Sequence, residues 1–294
     1  LIRKYNNWIP LFLLAFPTLM ALIPVFVEVN PRISIFYTPA LAQIFNIFLI
    51  AYAIATGALE KFRSISIKGI PVIIGGGLLI IAVYSTINAV EPRYSALKLL
   101  DLLLFLGLCY FGAYIFEQGG RLLIRNTLIA IFGSVVLAVP LVSVLFALKI
   151  PDYYLWPNFI PGFLYIRIYG FSLALSIAVG IGLLTLPTLQ KTGVRAIIFT
   201  GLVVLWTTLF WTSSRGGIYA LIMVLPVLAY LMPQLRTALA PAILSFSIGA
   251  IISSQIEVPS QIFGFYNAFN DIINSTSAND FSANRLWEWR IILD

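Results

Sequence analysis

The sequence predicts an all-α, polytopic membrane protein of about nine spanning helices, with a large polar loop beginning at its C-terminal end. Three observations carry that prediction. Hydrophobic residues fill 61% of the chain and charged residues only 10%, where soluble domains hold about a quarter charged residues. The few charges divide the chain into long charge-free windows. None of these windows alternates apolar and polar residues over about ten positions, as barrel strands do.

In order, the windows are Tyr5–Val27, Ile33–Leu59, Gly69–Val90, Leu102–Phe116, Asn126–Leu148, Ile168–Gln190, Ala196–Ser214, Gly216–Leu235 and Thr237–Ile256. Each reaches the roughly 18 residues that cross a bilayer, the fourth by borrowing its Ser95–Asp101 flank. The first is too long for a cleavable signal, has no small-residue cleavage site and leads into further spans. In the second and third, Gln43, Tyr84 and Asn88 read as interhelical hydrogen-bonders, and "IIGGGLL" (Ile73–Leu79) reads as a close-packing stretch. The fourth holds Cys109, the only cysteine, so no disulfide can form within the chain. Residues 1–256 are therefore expected to form one helical membrane domain, and 257–294 the beginning of a loop. A first residue Leu1 and a helical-looking end at Asp294 read as a piece cut at both ends.

Histidine is absent, which removes the commonest neutral-pH base and the usual zinc ligand. The net charge of +7 is spread over connections rather than clustered, so nucleic acid is not an expected partner. With the N-terminus inside, ten Lys and Arg residues fall on the cytoplasmic side and eight on the opposite side. Every short inner connection, such as "EKFRSISIK" and "QKTGVR", carries basic residues, whereas half of the outer ones sit in the long segments Lys149–Arg167 and Glu257–Asp294. The positive-inside rule weighs short loops, so the N-terminus is placed in the cytoplasm and Arg215 on the outer face. The segment "KIPDYYLWPNFIPGFLYIR" holds three prolines and six aromatics and is expected to lie at headgroup level.

Candidate chemistry gathers at that outer face. Arg215 sits between two spans in "TSSRGG" (Thr212–Gly217). As a lone basic residue it would anchor a helix end at the headgroups. Its neighbours suggest more. Ser213 or Ser214 can cap the helix that starts near Gly216, and the glycines let a ligand approach the free amides and positive dipole of the helix start. Arginine adds a planar fork for phosphate oxygens, so the expected ligand is the phosphate or pyrophosphate of a lipid. In "ANRLWEWRIILD", Arg285 and Trp289 share a helix face while Arg290 and Trp287 lie on others. The plain reading is an interfacial amphipathic helix, and the functional one a second cationic arm with an aromatic platform for a sugar. Arg167, with Gly170 one turn on, repeats the position type of Arg215. Arg93 and Lys98 flank the outer start of the fourth helix, where Asp101 is the expected ion partner of Lys98.

"TSSRGG" opening a late helix, with a large outer loop containing R-x-x-x-W (Arg285, Trp289) one span later, resembles the bacterial O-antigen ligase and O-antigen polymerase family. R-x-x-G at Arg167–Gly170 is a third, shorter match. The resemblance covers the nine expected helices and the start of the loop. It implies a glycosyltransferase of the bacterial inner membrane that moves a glycan from undecaprenyl pyrophosphate to an acceptor hydroxyl on the periplasmic face. The acceptor it implies is a lipid A–core sugar, another lipid-linked repeat or, in related enzymes, a protein side chain. It implies no metal, nucleotide sugar or other cofactor. Arg215 and Arg285 map onto the family's key arginines, while the family's catalytic histidine and further helices would lie beyond Asp294, so residues 1–294 alone are expected to lack part of the active site and to be inactive.

Two other classes compete. A secondary transporter or flippase for a lipid-linked glycan would place ionisable residues and broken helices near the midplane, whereas the charges here gather at one face. A structural membrane subunit would use its arginines only as anchors.

The topology is directly testable. In a Cys109→Ala background, single cysteines at Ser66 and Thr192 should resist an impermeant thiol reagent in intact cells, and one at Asn274 should react. The reverse labelling pattern would place Arg215 inside.

Overall fold

The computed structural model describes residues 8–26, 44, 46–55, 57–58, 70–88, 92–148, 160, 166–256 and 264. Among them the regular structure is helical, with no strand. The helices are α1 (Trp8–Phe26), α2 (Asn46–Ala55), α3 (Ile70–Ile87), α4 (Pro92–Ala147), α5 (Ile166–Leu183), α6 (Thr192–Trp211), α7 (Arg215–Leu231) and α8 (Arg236–Ser254). Single 3-10 turns at Pro187–Leu189 and Pro233–Leu235 separate α5 from α6 and α7 from α8. Proline lacks an N–H and fixes φ, which suits the first position of a helical turn, although α4, α7 and α8 also hold Pro140, Pro226 and Pro241 inside them. Pro92 opens α4 in the same way.

Among the described residues three helices are long and apolar enough to cross a membrane: Leu102–Ala147, Thr192–Trp211 and Pro233–Ser254. In the first of these, two helices meet at a kink inside the expected connection between two spans, where Gly120 leaves helical geometry (φ 66°, ψ −165°). Glycine takes positive φ without steric cost, so it suits the break.

The chain divides into two compact units, one of Leu1–Trp8 and Phe36–Arg125, the other of Ile9–Ile35 and Asn126–Asp294. In the first, α2 packs on the early part of α4. A Cβ added to Gly107 would lie 3.2 Å from Ile50 Cδ1, and one on Gly57 3.6 Å from the Tyr114 hydroxyl.

The second unit contains the candidate site. Helix α5 runs through it antiparallel to α6, burying Tyr169, Leu173, Ile177, Ile181 and Leu184 against Leu202, Leu205 and Leu209. Phe132 of α4 wedges between the two helices. Its ring occupies the places where Cβ atoms on Gly180 and Gly201 would stand, 2.5 Å from Cε2 and 2.6 Å from Cζ. Helix α8 meets α6 along Ala238, Ala242, Ser245, Gly249 and Ser253, a stripe of small residues three and four apart. Small residues let backbones approach, which is how helices associate where surrounding lipid removes the hydrophobic drive. Trp206, Phe210 and Phe246 close the α6–α8 contact with ring centroids 5.0–5.8 Å apart.

The outside of this unit is apolar. Ile197 is 72% exposed, Met223 71%, Ile243 64% and Ile251 64%, while Ser134, Ser176, Thr208, Ser245 and Ser253 are buried. Large apolar side chains on the outward faces, with these hydroxyl side chains buried, suit hydrocarbon surroundings rather than water.

Gly201→Ala should destabilise the unit by about 1–3 kcal/mol, and Phe132→Leu should recover most of that loss, because the new Cβ meets only a ring edge and one methyl. Gly249→Ala should have no such side-chain rescue, since its Cβ would stand 2.9 Å from the Thr207 backbone nitrogen. Thermal unfolding in detergent micelles measures both.

Candidate functional site

The α6–α7 junction is where four helix ends of the second unit converge. Phe146, at the end of α4, sets its ring edge-on to Trp211 with centroids 4.9 Å apart. Gly170, in the first turn of α5, lies against Ser214, and its carbonyl oxygen would be 3.2 Å from a Cβ on Gly217. Gly264 also reaches this place, donating its N–H to Trp211 O at 2.8 Å.

The end of α6 is fully satisfied. Thr208 O accepts the Thr212 N–H at 2.9 Å, and Leu209 O accepts the Thr212 hydroxyl at 2.8 Å. Phe210 O accepts the Ser213 N–H at 3.1 Å, and Trp211 O accepts from Gly264. All four terminal carbonyls that a helix leaves open thus find partners.

The start of α7 differs. Arg215 donates its N–H to Ser213 O at 2.9 Å, and Ile218 donates to Ser214 O at 3.2 Å. Between them, the N–H groups of Gly216 and Gly217 meet no acceptor among the described residues. The expected serine cap is not what the structure contains. Ser214 takes the N-cap position without a capping hydrogen bond from its side chain. Its hydroxyl is turned into the groove at Gly170, where any Cβ would collide with it. The Ser213 hydroxyl donates instead to Gly264 O at 2.8 Å. Both serines are engaged in tertiary contacts, and that leaves two amides of the helix start uncapped.

The adjacent glycines have separate roles. Gly217 is buried, and a Cβ there would meet Gly170 O, Leu209 Cδ1 and Ala174 Cβ at 3.2–3.3 Å, so it allows α7 to close on α5 and α6. Gly216 is exposed, with nothing within 4 Å of its Cβ direction. Arg215 is half-buried at the mouth of the turn. One helical turn on, the Tyr219 hydroxyl is enclosed and makes no hydrogen bond among the described residues. Sequence reasoning passed over Tyr219, though its i, i+4 spacing from Arg215 was visible. Gly264 carried no sequence signal.

The structure therefore brings together Ser213, Ser214, Arg215 and Gly216. Arg167 is the second residue of α5, so its backbone starts at the same helix ends, one turn before Gly170. Its side chain lies outside the described residues, as does that of Arg93 in the first turn of α4. Arg285, Trp289 and Arg290 lie outside them entirely. In the segment Lys149–Arg167, expected at headgroup level, Ile160 is completely buried in the core. Comparison with protein-family models, curated proteins and solved structures gave no match.

Gly170→Ala and Gly217→Ala should each lower stability by about 1–3 kcal/mol through overpacking. Gly216→Ala should remain within about 1 kcal/mol of wild type, because its side meets open space and alanine favours helix. Melting temperatures of the three variants check the division of roles.

Proposed function

We propose that the chain is a nine-span glycosyltransferase of the bacterial inner membrane, N-terminus inside, acting at the periplasmic face. It transfers a glycan from undecaprenyl pyrophosphate to an acceptor hydroxyl on a lipid A–core sugar or a growing polysaccharide. The observation that carries this reading is the start of α7, where Arg215 stands beside two amides without an acceptor and an open approach at Gly216. Free amides and the positive end of a helix attract oxyanions. Apolar outward faces on the same helices favour an anion that arrives on a lipid. The resemblance of "TSSRGG" and of Arg285 and Trp289 to the O-antigen ligase and polymerase family supports the same substrate class.

In the proposed reaction the acceptor oxygen attacks the anomeric carbon as its bond to the pyrophosphate oxygen breaks. Undecaprenyl pyrophosphate leaves with the bonding pair, and a base takes the acceptor proton. Arg215 and the Gly216 and Gly217 amides would stabilise the charge that grows on the leaving group, an interaction stronger in the transition state than in the ground state. Arg285 would supply a second positive charge, and Arg167, Arg93, Arg290 and Trp289 would hold the donor glycan and headgroup.

Arg215→Lys and Arg215→Ala separate this role from anchoring. An anchor tolerates lysine, since both side chains snorkel. A pyrophosphate grip loses its two-pronged contact with lysine and nearly all function with alanine. A lost charge-assisted hydrogen bond costs about 1.5–3 kcal/mol, so transfer should fall on the order of tenfold to a hundredfold at unchanged membrane abundance. Full transfer by both variants would remove the phosphate role.

A further inference from the structure

We propose that Ser213 is a positioning residue, which sets the first turn of α7 through its hydroxyl bond to Gly264 and touches no substrate. The inference rests on the glycosyl-transfer reading for its consequence, and on geometry alone for the bond. Ser213 has φ 52°, in the left-handed region, where glycine and asparagine are the usual residues past a helix end. A turn that needed only this conformation would be served best by glycine. The serine hydroxyl instead donates at 2.8 Å to a carbonyl 51 residues away, while Gly264 returns an N–H to Trp211 O at 2.8 Å. These two bonds join the same segments in opposite directions. Gly264 is itself buried at φ 108°, a conformation open to glycine, so of the two partners it is Ser213 that holds a backbone its residue type rarely adopts.

Ser213 also orients the first turn of α7. Its carbonyl takes the Arg215 N–H at 2.9 Å, so the tilt of the Ser213 peptide fixes where Arg215 and the Gly216 and Gly217 amides begin. Removing the hydroxyl frees Gly264 and loosens the turn without deleting any group that would meet a phosphate.

The test compares Ser213→Gly, Ser213→Ala and Ser213→Asn in lipid nanodiscs, in the complete protein with the loop histidine and later helices that the resemblance implies. Hydrogen exchange is read at Gly264 and at Gly216–Ile218, and transfer is assayed with an undecaprenyl-pyrophosphate-linked glycan. Glycine removes backbone strain but also the donor, whereas asparagine accepts positive φ and supplies an N–H donor. Glycine and alanine should raise Gly264 amide exchange about tenfold and lower kcat about tenfold with little change in donor KM. Asparagine should restore protection and most of kcat. Wild-type protection at Gly264 in Ser213→Gly overturns the proposal, as does lost protection with unchanged kcat. A complete protein, carrying the loop histidine and later helices that the resemblance implies, that protects Gly264 yet transfers nothing defeats the glycosyl-transfer reading instead, and the exchange pattern then decides the role of Ser213 alone.

Discussion

In apolar surroundings a helix end has to find partners for its last carbonyls and first amides within the protein, since each unpaired group there costs several kcal/mol. Several C-terminal ends in the second unit meet this demand by local devices. Gln190 donates its side-chain amide to Leu184 O and Leu186 O beyond α5. Arg236 folds back to give its Nε–H to Ala229 O near the end of α7. Hydroxyls of Ser254 and Thr212 return to carbonyls three residues earlier. Helix starts are less fully paired: neither α6 nor α7 has a side-chain cap, and at α7 the uncapped amides coincide with an arginine and an open glycine.

The same surroundings dictate how the helices meet. Where lipid offers as good an apolar contact as another helix, association depends on close packing, which places glycine at the points of nearest approach. Gly180 and Gly201 receive the Phe132 ring, Gly249 admits the Trp206–Thr207 backbone, and Gly170 faces Gly217. The last of these contacts controls the candidate site. It holds α7 against α5 so that the uncapped amides stand beside the first turn of α5, where Arg167 begins the helix.

Charge spacing made most helices legible. Described helices fall in or overlap the charge-free windows, as Trp8–Phe26 does in Tyr5–Val27 and Ile70–Ile87 in Gly69–Val90, because a charge is expensive in hydrocarbon and tends to mark an end. The charged stretch Glu117–Arg125, expected as a connection, holds the kink at Gly120 where two helices meet. Arg215 and Gly216 could be read from "TSSRGG" because helix-start chemistry is local. The serines could not, since the choice between capping α7 and meeting Gly264 or Gly170 depends on chain 51 and 44 residues away. Arg285 and Trp289 remain sequence expectations outside the described residues.

Helical geometry explains how neighbouring residues at the start of α7 divide their work. Each step along the helix turns about 100°, so Gly216 and Gly217 cannot share a face. Gly217, Ile218 and Leu221 turn inward and bind α7 to the bundle. Gly216 and Ala220, one turn apart, turn outward, and beyond them Met223 and Val227 are 71% and 55% exposed. Arg215 and Tyr219 fall between these faces. An anion at the uncapped amides would therefore lie at the head of an apolar strip along α7. A water-borne anion gains nothing from that strip, whereas a pyrophosphate carried on an isoprenoid chain can use both parts, its head at Arg215 and its tail along the helix. Under the proposed reading, that juxtaposition is how a lipid-linked donor would differ from a soluble one at the same phosphate-binding groups.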